Sequence, residues 1–310
     1  MRYQGPGPAL WFALEKMTEI EIFSPAKINL TLAITGKRGD GFHRLTSLVA
    51  PLSFGDDVTV GVLRGGSGIV LTTSNPALAV DETNIAWSAA DRFLKRFEID
   101  ASVNIRIEKR IPIGAGLGGG SSNGSSVLSG LAKLFDIDDV EALTNIAEEL
   151  GSDSPLFLSP EPLIMRGRGE LIERLESDVI RTIAGKSVIV LKPGFGISTT
   201  WAYGALAAAP QDYASDSEAE AKLEEWKRGE RSLESLFMNS FDGVVGRKFP
   251  SIPLLLESIR TETGAACLMS GSGSSCFALC DGSEIDRIRS IVAEKWGQNA
   301  FFEVARILDK

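Results

Sequence analysis

The sequence predicts an α+β protein of two domains, and three observations carry that expectation. The chain has 310 residues, and domains run about 100–200 residues each. Its apolar residues fall into period-2 and period-3.6 runs that are mixed, without the regular βαβ alternation of a doubly wound sheet. A cluster of prolines, Pro155, Pro160 and Pro162, marks a shift of composition near the middle of the chain. The expected division is an extension over residues 1–17, a first domain over 18–165 and a second over 166–310.

The elements follow in order. Residues 1–16 carry Pro6 and Pro8 and have no apolar core or small-residue cleavage site of a signal peptide, so they are expected to be dispensable. Glu19 to Phe23 alternates, and Ile28, Leu30, Leu32 and Ile34 continue the same period-2 strand. A turn cluster with Asp40-Gly41 follows, then strands over Leu45–Phe54 and Val58–Leu63. Glu82–Phe97 has helical spacing, Ser102–Lys109 alternates as a strand, and Val127 to Phe135 presents one helical face. Val140–Leu150 is a helix stopped by Gly151. Beyond the prolines, Ser187–Leu191 reads as a buried strand and Glu218–Phe237 as a charged helix with a solvated face. Pro253–Thr261 is a helix. Cys267–Ser270 and Ser275–Cys280 are strands around a Gly-Ser loop, Ile285–Trp296 is a helix, and Ala300–Ile307 is a last strand.

Composition narrows the function. With 44% hydrophobic and 24% charged residues the chain is an ordinary globular one, neither disordered nor collagen-like. A net charge of -9 argues against nucleic-acid and anionic-membrane partners. It leaves room for an anionic ligand in a locally positive pocket. The longest uncharged run, Ile111 to Ala132, is too rich in Gly and Ser to span a membrane. Three cysteines, Cys267, Cys276 and Cys280, are an odd and sparse set. They read as small core residues in a reducing, cytoplasmic setting, not as a disulfide frame or a zinc site.

The stretch richest in chemistry is Pro112-Ile113-Gly114-Ala115-Gly116-Leu117-Gly118-Gly119-Gly120-Ser121-Ser122, which follows a strand and runs into a helix. Glycines let the backbone approach a ligand, and the helix start supplies free N–H groups and a favourable dipole, so the loop reads as a phosphate cradle. Ser121 and Ser122 are expected to cap the helix and donate to phosphate. Known cradles fit poorly. Gly185-Lys186-Ser187 lacks the upstream glycine of a Walker A loop. Gly114, Gly116 and Gly119 match a dinucleotide fingerprint, but Asp136 to Asp139 leads into another helix where that fold needs a strand ending in an acid. The protein-kinase partner motifs are absent.

Pro112 to Ser122 resembles the ATP-binding motif of the galactokinase, homoserine, mevalonate and phosphomevalonate (GHMP) kinase superfamily. Ser24-Pro-Ala-Lys-Ile-Asn-Leu30 is similar to its N-terminal substrate motif, and Leu268 to Ala278 to its C-terminal Gly-rich loop. Gly39 to His43, Leu150 to Phe157 and Pro193 to Thr199 narrow the likeness to a branch acting on a cytidylyl-bearing polyol. The resemblance covers residues 18–305 and implies a GHMP fold, with a first domain like ribosomal protein S5 domain 2 and a ferredoxin-like second domain. It implies ATP-dependent phosphorylation, with Mg²⁺ accompanying ATP and no metal ligand assigned to the protein, of the 2-hydroxyl of a methylerythritol that carries a cytidine diphosphate moiety. Mevalonate or homoserine kinase, or a catalytically inactive nucleotide-binding member, are the alternatives. The expected assembly is a monomer or homodimer.

By the same match Lys27 and Asp153 form the catalytic pair, Asn29 and His43 fall at substrate positions, and Phe42 and Tyr203 flank the cytosine. Asn84 and Lys109 fall near the nucleotide. The chemistry agrees. A carboxylate on a constrained loop can take a proton from a hydroxyl, and a lysine beside it can offset phosphoryl charge. A histidine next to an aromatic residue can bond the polar edge of a stacked base. Phe42 stands where the family more often has Tyr, Asn123 where it often has Asp, Gly124 and Ser125 where alanines are common, and Ser240 where Asp is usual.

Overall fold

The computed structural model describes residues 17–309. Of the expected extension only Met17 is therefore described, and the rest lies outside the described residues. The Met17 thioether sits against Gly61 and accepts a hydrogen bond from Asn104 Nδ2 at 3.4 Å.

Strand β1 (Thr18–Lys37) pairs antiparallel with β2 (His43–Arg64), from Thr18 opposite Val62 to Lys37 opposite His43. Its outer end alternates, but every residue from Ser24 to Ile34 is buried, because this half runs through the interior of the molecule. The sequence suggested two strands where β2 is one. Gly55, Asp56 and Asp57 pair in register with Pro25, Ser24 and Phe23, and the β-bulge lies just before them, where the register shifts between Pro25–Gly55 and Lys27–Pro51. Gly55 is required there, since a Cβ would lie 2.3 Å from the Ser24 carbonyl oxygen.

Strand β3 (Ile69–Thr73) pairs parallel with β4 (Ala101–Glu108), which pairs antiparallel with β2. Helices α1 (Ile85–Arg96), α2 (Gly119–Phe135) and α3 (Val140–Leu150) pack on this sheet through Phe93, Val127, Leu131 and Ile146. Strand β5 (Leu163–Gly167) pairs with β2, and β6 (Leu171–Arg174) with β5. The division expected between residues 165 and 166 thus falls inside β5, and the first sheet continues to Arg174.

After α4 (Ser177–Arg181), β7 (Ser187–Lys192) opens the second sheet. Helices α5 (Thr199–Ala207) and α6 (Asp216–Lys227) follow, then β8 (Met238–Asn239), which returns to the first sheet parallel to β1. Helix α6 ends ten residues before the expected Phe237 because Gly229 takes φ +75°. It also buries Ala219, Leu223 and Trp226, so only part of it is a solvated face. Helices α7 (Asp242–Lys248) and α8 (Ser251–Thr263), strands β9 (Ala266–Met269) and β10 (Cys276–Leu279), helix α9 (Ile285–Trp296) and β11 (Phe301–Arg306) complete the chain. The four-stranded sheet has the order β11-β7-β10-β9, antiparallel throughout, which is the ferredoxin-like arrangement the resemblance implies.

The two sheets share an interior. Ala26, Ile28 and Leu30 of β1 and Leu48 and Ala50 of β2 lie in one apolar cluster with Val188, Val190, Leu268 and Phe277 of the second sheet. Cys267 and Cys276 are buried, Cys280 is half-buried, and all three are free. No helix among the described residues is long and apolar enough to cross a membrane.

Candidate active site

The glycine loop connects β4 to α2. Gly114, Gly116 and Gly118 take φ of +61°, +75° and +72°. Between them Ala115 and Leu117 are buried in the shared core, so the loop zigzags with its side chains anchored inward. Gly118 caps α2 without a side-chain bond. Ser122 N–H donates to the Gly118 carbonyl at 2.9 Å, which leaves the preceding N–H groups of α2 free for an anion. The expected serine cap is therefore replaced by backbone. Ser122 Oγ is buried against Ser24 Oγ at 2.7 Å, while Ser121 lines the cleft.

A buried polar network supports the loop. Lys109 Nζ pairs with Asp56 and donates to Asn123 Oδ1 at 3.2 Å. Asp56 also accepts from the N–H groups of Arg110 and Ile111 at 2.7 and 2.8 Å, and from Asn123 Nδ2 at 2.8 Å. Asn123 Nδ2 reaches Ser24 Oγ at 2.9 Å. Asn123 thus bridges donor and acceptor, where an acid at this position would set a second carboxylate beside Asp56. Lys109 lies directly under the helix start, 2.8 Å from where a Gly119 Cβ would be.

Lys27, Asn29 and Asp153 come together beside this cradle. The Lys27 stem runs under Gly118, whose Cβ would lie 3.0 Å from Lys27 Cγ. Lys27 Nζ lies 3.3 Å from Asp153 Oδ2 and donates to Asn29 Oδ1 at 2.8 Å. Asn29 Nδ2 donates to Ser47 Oγ at 2.9 Å, and Ser47 Oγ to the Thr31 carbonyl at 2.7 Å, which fixes the amide. Asp153 stands on the loop after α3, which Ser125 of α2 ties down through the Ser154 carbonyl at 2.7 Å. The lysine side chain is 6% exposed and the carboxylate 36%, so the cation is held in the floor and the carboxylate opens to the cleft.

The other end of the cleft is aromatic. His43 packs on Tyr203 with ring centroids 4.9 Å apart, and Tyr203 meets Phe241 edge-on at 4.9 Å. His43 Nε2 is buried without a protein partner. Burial and the Lys37 charge hold the His43 pKa below its ordinary value. Burial and the nearby Asp153 charge push the Tyr203 hydroxyl up to about 12. Phe42 is 50% exposed, with the Arg168 guanidinium 5.0 Å from its ring centroid. One cleft of about 700 Å³ joins Lys27, Asn29, Phe42, His43, Gly116, Gly118, Ser121, Asp153 and Tyr203.

Asn84 is not among its walls. Its Oδ1 accepts from Ala86 N–H at 3.0 Å as the cap of α1, and its Nδ2 donates to the Ala79 carbonyl at 2.7 Å. Pro112, Ile113 and Gly114 lie on the loop outside the cleft. Asp56, Ser270, Lys37 and Arg168 are not among the residues expected from the sequence, whereas Asn239 is expected as a kept family position. Ser270 Oγ accepts from Asn29 N–H at 3.2 Å and donates to the Gly116 carbonyl at 3.3 Å. Asn239 Nδ2 donates to the Met269 and Gly271 carbonyls, each at 2.8 Å. Ser270 lies inside the C-terminal Gly-rich motif, whereas Asp56, Lys37 and Arg168 are single charged residues with no local pattern.

The GHMP kinases N terminal domain family matches residues 84–159, and the GHMP kinases C terminal family matches residues 202–298. The fold and cleft are therefore those of a GHMP kinase. A 4-diphosphocytidyl-2-C-methyl-D-erythritol kinase of Citrifermentans bemidjiense is 32% identical over 87% of this chain and 93% of its own. One of Methylacidiphilum infernorum is 36% identical over 84% and 86%. A crystal structure of 4-(cytidine 5'-diphospho)-2C-methyl-D-erythritol kinase superposes with a TM-score of 0.73 at 33% identity, covering 93% of this chain and 99% of that one. Within the GHMP kinases, the chain belongs to the 4-diphosphocytidyl-2-C-methyl-D-erythritol kinase family.

Proposed function

We propose that the chain transfers the γ-phosphoryl group of ATP to the 2-hydroxyl of 4-diphosphocytidyl-2-C-methyl-D-erythritol. The observation that carries this reading is the single cleft, with a Lys27–Asp153 pair and an anion-binding helix start at one end and a partnerless buried His43 Nε2 against Tyr203 at the other. Asp153 accepts the proton of the attacking hydroxyl. Lys27 holds that carboxylate in place through its ion pair and, with the helix start, offsets the charge spread over the phosphoryl oxygens. Asn29 orients Lys27. His43 reads the polar edge of cytosine while Tyr203 and Phe42 cover its faces.

The cradle suits the triphosphate, because the first N–H groups of α2 are left free and the Lys27 stem runs beside Gly118. Among the described residues no group of three or more His, Cys, Asp or Glu is placed to hold an ion alone. Ser121 and Asp153 offer oxygen donors of the kind Mg²⁺ takes, so they are the residues an ion carried on ATP would meet. That ion supplies charge neutralisation of the phosphates. A reducing, cytoplasmic setting is in keeping with three free thiols.

The test is ATP turnover against a panel of alcohols: the cytidylyl polyol, mevalonate and homoserine. Turnover is expected with the first alone. Turnover with either of the others, and none with the first, would overturn the assignment.

A further inference from the structure

We propose that Lys37 and Arg168 form a clamp for the diphosphate that links the cytidine to the polyol of the substrate. The inference rests on the substrate reading above and assigns two residues that reading leaves idle. Four charged side chains line the cleft: Lys27, Lys37, Asp153 and Arg168. Lys27 and Asp153 offset one another at 3.3 Å. Two positive charges remain, and a diphosphate diester carries two negative charges at neutral pH.

The surroundings keep both cations free. Asp40 is paired with Arg38 at 3.0 Å. Glu170 lies 3.5 Å from Arg38 Nη1 and accepts the backbone N–H of Arg168 at 2.5 Å. Glu148 and Glu149 share a neighbouring groove with Arg168; Glu149 is paired with Arg92, and neither forms an ion pair with Arg168. Among the described residues neither Lys37 nor Arg168 therefore has a carboxylate partner.

Their placement fits the order of groups along the ligand. Lys37 closes β1 directly opposite His43 on β2. Arg168 lies over the Phe42 ring at 5.0 Å, on the turn between β5 and β6. Both cations thus flank the base end, and the catalytic pair holds the other. A phosphate group attached one ribose away from the base would fall within their reach. The planar fork of Arg168 suits two phosphate oxygens at once, and its contact with the Phe42 face orients the fork before binding.

The experiment compares CDP with cytidine by calorimetric titration of the full chain. Wild type is expected to bind CDP more tightly than cytidine. Arg168→Ala and Lys37→Ala should each weaken CDP binding roughly tenfold, the scale of one charge-assisted contact, and leave cytidine binding unchanged. KM for the cytidylyl polyol should rise in parallel, with kcat and the KM for ATP unchanged, and Arg168→Lys should recover part of the loss. Equal weakening of CDP and cytidine in both variants would mark a structural role and overturn the clamp, as would unchanged CDP binding. Failure of the substrate reading is seen separately. Wild type that binds neither ligand and does not turn over the cytidylyl polyol removes that reading, and the clamp with it.

Discussion

At the scale of single residues, the proposed chemistry turns on two charges with unequal access to the cleft. The ammonium is buried and the carboxylate beside it is more open, so in the proposed reaction the carboxylate can meet a hydroxyl while the lysine holds its position. Asp153→Asn keeps size and most hydrogen bonding but loses the base, so kcat should fall by ~10²–10⁴ while ATP still binds. Steady-state kinetics checks this, and a near-normal kcat would leave positioning and charge alone to drive the reaction. Lys27→Ala should also lower kcat, and the double variant should be far less impaired than the product of the singles, because the pair acts as one unit. His43 gives a pH prediction. Its folded pKa lies below the ordinary value of about 6.5, so the unfolded chain takes up a proton first as pH falls. The resulting stability is complete above about 6.5 and is lost progressively below it. Melting temperature measured between about pH 8 and 5 should therefore fall less steeply in His43→Gln than in wild type, and identical slopes would overturn the assignment. The expected residues Lys27, Asn29, Phe42, His43 and Asp153, which line one cleft, sit inside motifs. Asn84 sits next to α2 because Ile85 packs on Gly124, but its amide is spent on a cap that no sequence pattern distinguishes from a ligand contact.

At the scale of elements, the glycine loop and α2 show why a strand, loop and helix could be recognised from the chain while their details could not. Alternation and helical spacing mark where β4 and α2 lie, and the glycines mark the loop. Which glycines carry positive φ depends on what they face. Gly116 lies against the β9–β10 loop, where a Cβ would come 2.5 Å from the Ser270 carbonyl oxygen. That neighbour is 154 residues away in sequence. Gly116→Ala meets both the collision and a left-handed backbone worth about 1–2 kcal/mol. We expect it to lower the melting temperature and to raise the KM for ATP, as the cradle shifts away from the second sheet. Gly114→Ala serves as the control, since it has the same backbone sign but nothing within 4 Å, and it should cost less. Equal losses in the two variants would show that backbone strain alone is at work. Longer-range packing likewise explains the elements that were misjudged. β2 is one strand because β1 tolerates its bulge, and after α6 ends at the left-handed Gly229 the chain returns through the buried Leu233 and Leu236 to place β8 beside β1.

At the scale of the whole molecule, the cleft exists because two sheets are held at one fixed separation, and the small strand β8 is a pin between them. Asn239 stands opposite Leu32 on β1, yet its amide donates to two carbonyls of the second sheet, Met269 at the end of β9 and Gly271 in the Gly-Ser loop that follows. Its Oδ1 also accepts the Phe241 N–H at 2.9 Å, which orients the donor end of the amide. No local pattern announces this role, since it needs β8 to leave one sheet's neighbourhood and join the other. Asn239→Ala would leave two carbonyls without partners in the interior, each worth about 1–3 kcal/mol. For a chain of this size that corresponds to a fall in melting temperature of roughly 2–4 °C per kcal/mol. The catalytic consequence separates a pin from a mere core residue. Ser270, in the same loop, supports both the Asn29 backbone and Gly116 of the cradle. Asn239→Ala should therefore raise the KM values for ATP and the cytidylyl substrate together. Trp296→Phe, which removes the hydrogen bond of Nε1 to the Ser251 carbonyl between α9 and α8, should lower stability without that joint change. Melting curves and two-substrate kinetics on both variants decide the matter. Loss of stability in Asn239→Ala with both KM values unchanged would mean that the cleft keeps its geometry without the pin.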